Sequence, residues 1–385
     1  MMKVAFIHNE KKIGTGAHYI NDLMALRLKE AGVDLKNFYP SVSLDGPVHM
    51  GGLRNILFFY SLLEKRQKIL KYDLIQGTTY TPLPFLSFPI PVISHFGSTT
   101  KGFLDATPLA SKMKEDTKDI WYRLKKDGAI KELNLMTRRP LRDIAEIEEY
   151  VAKRADAVVA TSQNVKNELL AMGVKEERVH LIHNAIEDYW FEAADLPMTD
   201  APQIVFLGRL GGDAFNLKLK GLDRLIDAYQ HFKDIGKTTI CMTTNKPLVN
   251  WFLTHLSSHS LFVNVQKDKI PDIVRKMRGS ILFITSRYEG FSLSLIEGMS
   301  QGLVPVAYPV GVVPEIIRNG ENGFIVHSQK EAIEKITLLL RDKELRERCS
   351  REAEKTSKEF KGVFIAEKLM KLYEEVVHSS KKKEQ

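Results

Sequence analysis

Short apolar runs, each followed by a loop and then a stretch with helical spacing, recur along this chain. That alternation restricts the fold more than any other feature. The runs lie at 3–8, 33–39, 72–76, 90–95, 156–161, 179–183, 204–207, 239–243, 261–265 and 280–285, and each has the length of a buried strand. Periodicity between and after them predicts helices over 17–31, 53–71, 111–127, 141–154, 163–172, 220–233, 247–257, 270–278, 330–355 and 360–378. Repeated strand–helix units give parallel sheets joined by right-handed crossovers. At 385 residues the default is two such domains. The expected class is therefore α/β, with a Rossmann-like parallel sheet in each domain.

The boundaries follow from composition. Residues 189–202, with Pro197 and Pro202, read as a linker between a first domain at 1–188 and a second at 203–359. Residues 360–385 hold a last amphipathic helix and a charged tail, expected to be disordered over 379–385. Cys241 and Cys349 are the only cysteines, which excludes a disulfide framework and a cysteine-based zinc site. No apolar run approaches the length of a membrane span, and no signal-peptide core follows Met1, so a cytoplasmic start is expected. The net charge is +8, and residues 101–142 carry eleven Lys and Arg against six acids. Such a patch suits an anionic membrane surface or a phosphorylated acceptor. No nucleic-acid-binding motif accompanies it, so nucleic acid is not expected as a partner. Two helices have apolar faces that suit either a membrane interface or the protein core: 53–71, with Phe58, Phe59 and Tyr60, and 111–127, with Met113, Ile120, Trp121 and Leu124.

The stretch 280–326 concentrates the polar chemistry. An apolar strand ends at Thr285, a loop from Ser286 carries Glu289, Gly290, Phe291, Ser292 and Leu293, and Ser294 to Glu297 reads as a helix start with a hydroxyl cap. A helix N-terminus offers free N–H groups and positive potential to a phosphate. Glu289 and Glu297 bracket it. Each also has a bland reading, a solvated loop acid and a capping-box partner. Elsewhere, the turn Asn9–Gly16 holds Gly14 and Gly16, where a backbone can approach a ligand closely. His95 ends a strand, where ligands sit in open α/β sheets.

At these residues the chain resembles a known family. Glu289 and Glu297 have E-x7-E spacing, with Gly290-Phe291 after the first acid. Downstream, Gly302 to Val306, Gly311 to Ile317 and Asn319 to Val326 follow in the family's order. The text is similar to that of retaining glycosyltransferases of family four, which have the GT-B fold: two Rossmann-like domains facing each other across a cleft. The resemblance implies an N-terminal acceptor-binding domain, a C-terminal nucleotide-sugar-binding domain, and a last helix returning to the first. It implies that Arg209 and Lys220 grip the donor diphosphate. Lys218 is a rival for the second role, and Gly221 after Lys220 favours Lys220. Glu297 would hold the ribose and Glu289 the donor sugar, with backbone groups from Gly290 through Ser294 nearby. His95 would face the sugar, and Gly16 would lie across the cleft, although Thr15 replaces a usual glycine. Ser292, Pro309 and Val312 also depart from the common residues, which leaves the donor open. No Asp-x-Asp pair occurs, so the expected chemistry needs neither metal nor cofactor beyond the nucleotide sugar. The expected acceptor is a glycan or a lipid-linked acceptor in cell-surface polysaccharide or glycolipid biosynthesis, with the enzyme cytoplasmic or peripheral on the inner face of the membrane. An epimerase of the same fold and a non-catalytic sugar-nucleotide-binding subunit are the alternatives.

Overall fold

A computed structural model describes residues 1–11, 16–44, 51–113, 115–192 and 196–383. The chain divides into two compact units. The first comprises Met1–Gly102, Thr137–Glu187 and the chain from Phe360 on, and the second Phe103–Met136 and Asp188–Glu359.

The first unit is built on strands β1 (Lys3–Ile7), β2 (Asp34–Phe38), β3 (Leu74–Thr78), β4 (Val92–Phe96), β5 (Ala157–Ala160) and β6 (Val179–Leu181). Among the described residues they form one sheet in the order β2-β1-β3-β4-β5-β6, parallel at every pairing. The inner strands β1, β3, β4 and β5 are buried along nearly their whole length because both faces of the sheet are covered, whereas the edge strand β2 mixes buried and exposed residues. The helix Gly362–Lys383 belongs to this unit, and Tyr373 in it donates its buried hydroxyl to Gln76 Oε1 at 2.5 Å. That helix runs on to Lys383, into the stretch 379–385 expected to be disordered, whose last two residues lie outside the described ones.

The second unit is built on β7 (Ile204–Arg209), β8 (Lys237–Met242), β9 (His259–Val263), β10 (Ile281–Ile284), β11 (Val304–Ala307) and β12 (Phe324–Ile325). Their order is β12-β11-β10-β7-β8-β9, again parallel. Ile281 and Phe283 face the core shared with helices Leu222–His231 and Gln329–Arg341. Leu282 between them faces Gly298 of helix Leu293–Ser300, where an added Cβ would lie 2.6 Å from Leu282 Cδ2. Strand side chains alternate, so these helices cover opposite faces.

Other sequence expectations change as well, among them the single helix over 330–355, which is two, Gln329–Arg341 and Lys343–Ser357. Residues 103–136, expected in the first domain, pack with the second unit. The helix Glu115–Lys126 buries Ile120, Trp121 and Leu124 in the core that contains helix Leu222–His231. Burying such side chains is worth about 1.5–3 kcal/mol each. Polar clamps add to it: Trp251 Nε1 donates to Asp127 Oδ2 at 3.0 Å, and Asn245 Nδ2 donates to Ala129 O at 3.0 Å. The expected linker at 189–202 belongs to the second unit in its described parts, on either side of 193–195. Trp190 is fully buried, and Gln301 Nε2 donates to its carbonyl at 2.5 Å. Arg278 Nη1 donates to Leu196 O at 2.6 Å. The predicted helix over 53–71 is broken too. It runs Gly51–Leu63 and resumes only as the single turn Arg66–Ile69.

Candidate functional site

In a parallel sheet all carboxyl ends lie along one edge, where loops rather than ladder bonds satisfy the backbone. In the second unit that edge carries most of the predicted residues. Arg209 is the last residue of β7, exposed and without a partner among the described residues. The loop 285–292 leaves the neighbouring strand β10.

The loop is held from two sides by glycines. Gly221 adopts φ +65°, and a Cβ there would sit 1.9 Å from Thr285 O. The approach lets Thr285 Oγ1 donate to Lys220 O at 2.7 Å. Lys220 Nζ then pairs with Glu289 Oε1 at 2.5 Å, and Ser286 Oγ donates to the same oxygen at 2.7 Å. Glu289 Oε2 has no hydrogen-bond partner among the described residues. Gly311, at φ +53°, would place a Cβ 2.4 Å from Phe291 O, and the Val312 amide donates to that carbonyl at 2.9 Å. Only a glycine permits either approach.

The helix after the loop starts one residue earlier than expected. It spans Leu293–Ser300, its cap is Ser292 rather than Ser294, and Ser294 lies in the first turn. Ser292 is in the left-handed region at φ 88°, ψ 72°, so its hydroxyl makes no capping bond. The buried Ser292 Oγ has no hydrogen-bond partner among the described residues. Such an orphan is costly unless a ligand or water satisfies it. Glu297 is buried one turn in, and its carboxylate lies 3.5 Å from Lys267 Nζ, not on a capping box. Lys267, in the turn after β9, carried no motif and was missed in the sequence.

The two candidate lysines separate cleanly. Lys218 is 1% exposed. Its Nζ donates to Leu133 O at 2.7 Å, Asn134 Oδ1 at 3.0 Å and Pro108 O at 3.2 Å, and lies 5.7 Å from the Trp121 ring centroid. It anchors the 103–136 segment. Lys220 alone reaches the carboxylate loop. The segment also touches that loop: Phe103 packs edge-on against Tyr288 at 5.0 Å between ring centroids. A cavity of about 420 Å³ opens on the Ser286–Arg287 side of the loop, and Arg224 and Tyr308 also line it. Arg287 forms a bidentate pair with buried Asp223 at 2.6 and 2.7 Å. Arg224 Nη1 donates to the carbonyls of Thr285 and Ser286 at 3.1 and 3.2 Å and lies 3.7 Å from the Tyr308 ring centroid.

In the first unit His95 lies on β4 near its carboxyl end, half-buried. Desolvation holds its imidazole down at about 4, so the ring is neutral at pH 7. The turn after it is fixed by two carboxylates. Thr99 Oγ1 donates to Glu168 at 2.5 Å, and the Thr100 amide and hydroxyl donate to Glu148 at 2.7 and 2.9 Å. Burial raises the Glu148 carboxyl to about 7, with the Glu168 charge adding a smaller push. Gly16 opens the helix Gly16–Glu30, while Gly14 and Thr15 lie outside the described residues.

Comparison with known proteins covers both units. The sequence profile of Glycosyltransferase Family 4 matches residues 24–188, and that of Glycosyl transferases group 1 matches residues 190–356. An uncharacterised glycosyltransferase of Methanocaldococcus jannaschii is 27% identical over 233 residues, spanning 59% of this chain and 62% of the relative. The chain thus spans under two thirds of that relative's length. Sucrose-phosphate synthase from Thermosynechococcus elongatus superposes with a TM-score of 0.74 at 14% identity, covering 98% of this chain and 100% of that one. HepE from Anabaena in complex with UDP-glucose gives 0.64 at 16% identity, covering 97% and 100%. At these identities the likeness establishes the GT-B architecture and leaves the substrate open.

Proposed function

Because the chain belongs to glycosyltransferase family 4, we propose that it transfers a sugar from a nucleotide-diphosphate sugar to a hydroxyl of a glycan or lipid-linked acceptor, keeping the anomeric configuration. One observation carries this reading. Lys220, Glu289, Arg209 and Glu297 share the carboxyl edge of one sheet, around a helix N-terminus whose cap hydroxyl is buried and unpaired.

In the proposed reaction the bond from the anomeric carbon to the β-phosphate oxygen breaks, and a bond from that carbon to the acceptor oxygen forms. The acceptor proton leaves on the departing diphosphate. Arg209, Lys220 and the first N–H groups of helix Leu293–Ser300 neutralise the charge that gathers on that diphosphate, which is the assignment behind a metal-independent enzyme. Glu289 Oε2 takes hydroxyls of the donor sugar and Glu297 those of the ribose. Neutral His95 donates or accepts a hydrogen bond on the sugar without adding charge. The UDP-glucose bound to HepE supports a donor of this class. A peripheral membrane setting, for a cell-surface glycan, follows from the lipid-linked acceptor.

The test is a panel of nucleotide sugars with EDTA present, reading free nucleotide with and without acceptor glycans. Glu289→Ala and Arg209→Ala should each cut turnover by at least about 10²-fold with unchanged melting curves. Full activity in either variant refutes the assignment. Donor consumed equally with and without acceptor would point to an epimerase or hydrolase instead. Dependence on added metal would refute the charge scheme.

A further inference from the structure

We propose that the helix Gly51–Leu63 docks this protein on an anionic lipid bilayer. The helix is apolar on two opposite faces. One buries Phe58 and Leu62 in the first unit's core. The other presents Leu53, Ile56, Leu57 and Tyr60, which are 51%, 67%, 41% and 58% exposed. These sit at i, i+3, i+4 and i+7, one continuous stripe. Isolated exposed apolar residues are ordinary, but a contiguous stripe of four large ones marks an interaction surface.

The occupant follows from what lies next to the stripe. Lys65, Arg66, Lys68 and Lys71 come directly after it, and Glu64 is the only acid between residues 51 and 71. Arg66, Lys68 and Lys71 are exposed. Aliphatic side chains, then a tyrosine, then a cluster of cations is the sequence of environments from acyl chains through the interface to lipid phosphates. Four side chains on one helix offer well below the roughly 800 Å² per partner that a stable dimer buries. The rival surface at 101–142 lacks the apolar half, because Ile120, Trp121 and Leu124 are consumed by the second unit's core. This inference extends the lipid-linked-acceptor reading and rests on it for its purpose.

The measurement is flotation with vesicles of phosphatidylglycerol and phosphatidylcholine in equal parts, compared with phosphatidylcholine alone. The full chain should float with the anionic vesicles and far less with the neutral ones. Ile56→Glu should reduce partitioning about tenfold or more. Arg66→Glu and Lys68→Glu should each reduce it roughly fivefold. Lys125→Glu with Lys126→Glu, on the rival surface, should change nothing. Melting curves of the Ile56 variant should match the parent, and Tyr60→Ser gives a milder second probe of the stripe. The proposal fails if the parent does not float, if Ile56→Glu floats equally well, or if only the rival pair abolishes binding. It also fails if sedimentation finds a dimer that Ile56→Glu dissociates. Flotation needs no turnover: a chain that floats without transferring sugar defeats only the catalytic reading, and one that transfers without floating defeats only this one.

Discussion

At the carboxyl end of β10 the second unit pairs cations with carboxylates, whereas near the end of β4 the first unit sets carboxylates against hydroxyls and a neutral histidine. Lys220 pairs with Glu289, Lys267 with Glu297 and Arg287 with Asp223, with Arg209 exposed on the adjacent strand. Near the end of β4 stand a histidine held neutral, two threonine hydroxyls, the Glu168 carboxylate that accepts from one of them, and the Glu148 carboxyl that burial drives towards protonation, and the threonine bonds to these acids involve no cation. The two sheets share parallel topology and apolar strands, so the scaffold does not dictate the difference. A diphosphate gains charge as it leaves and needs fixed cations. A sugar needs directional hydrogen bonds, which neutral groups supply without competing for the phosphate.

The sharpest way to break this contrast is to remove one lysine at a time. Under the proposed reaction, Lys220→Ala should cost at least about 10²-fold in turnover, because that scheme gives it one electrostatic contact to the leaving group. Its melting temperature should barely move, since the pair with Glu289 is partly solvated. Lys218→Ala should do the reverse. It strips a buried cation from three oxygen acceptors, for a loss on the order of 3 kcal/mol in stability. Activity per folded molecule should stay near the parent value. Calorimetry with turnover on the same samples decides it, and equal effects of both variants would erase the distinction between clamp and anchor.

The second unit's edge was largely legible in the sequence, whereas at the end of β4 only His95 was, for a physical reason. Glu289 and Glu297 lie eight positions apart across one loop and helix start, a local spacing that the sequence displays, and Gly221 directly follows Lys220. Lys267 reaches Glu297 from another strand's loop, so no spacing announces it. Glu148 likewise reaches Thr100 across 48 positions. Periodicity declared that helix Glu115–Lys126 has an apolar face but could not say which core receives it, hence its assignment to the wrong unit. The Ser292 and Ser294 hydroxyls were chemically equivalent as caps, and only the left-handed backbone at 292 decides between them.

His95 supplies the next test. Its folded value of about 4 lies below the usual 6.5, so the neutral ring's contribution to stability is complete above pH 6.5 and is lost as pH falls towards 4. Replacing it with glutamine should flatten that acid limb, by up to about 3 kcal/mol at pH 4. Turnover of the parent should show no histidine titration between pH 6 and 8, and a bell-shaped profile that vanishes in the variant would contradict a neutral role.

Glu148 should give the smallest effect and the opposite sign. Its folded value of about 7 exceeds the usual 4.5. The protonated carboxyl is favoured in the folded unit, so that contribution is complete below pH 4.5 and disappears as pH rises through 7. Glu148→Gln removes the cost of ionising a buried group while keeping an oxygen for Thr100, though it gives up the stronger bonds that a charged acceptor makes. The two effects oppose, leaving a net gain of about 1 kcal/mol at pH 8 and none at pH 5. That gain corresponds to a rise of roughly 2–4 °C in melting temperature. A variant less stable than the parent at pH 8 would mean that the carboxylate is held ionised, and the first unit's edge would then be as charged as the second's.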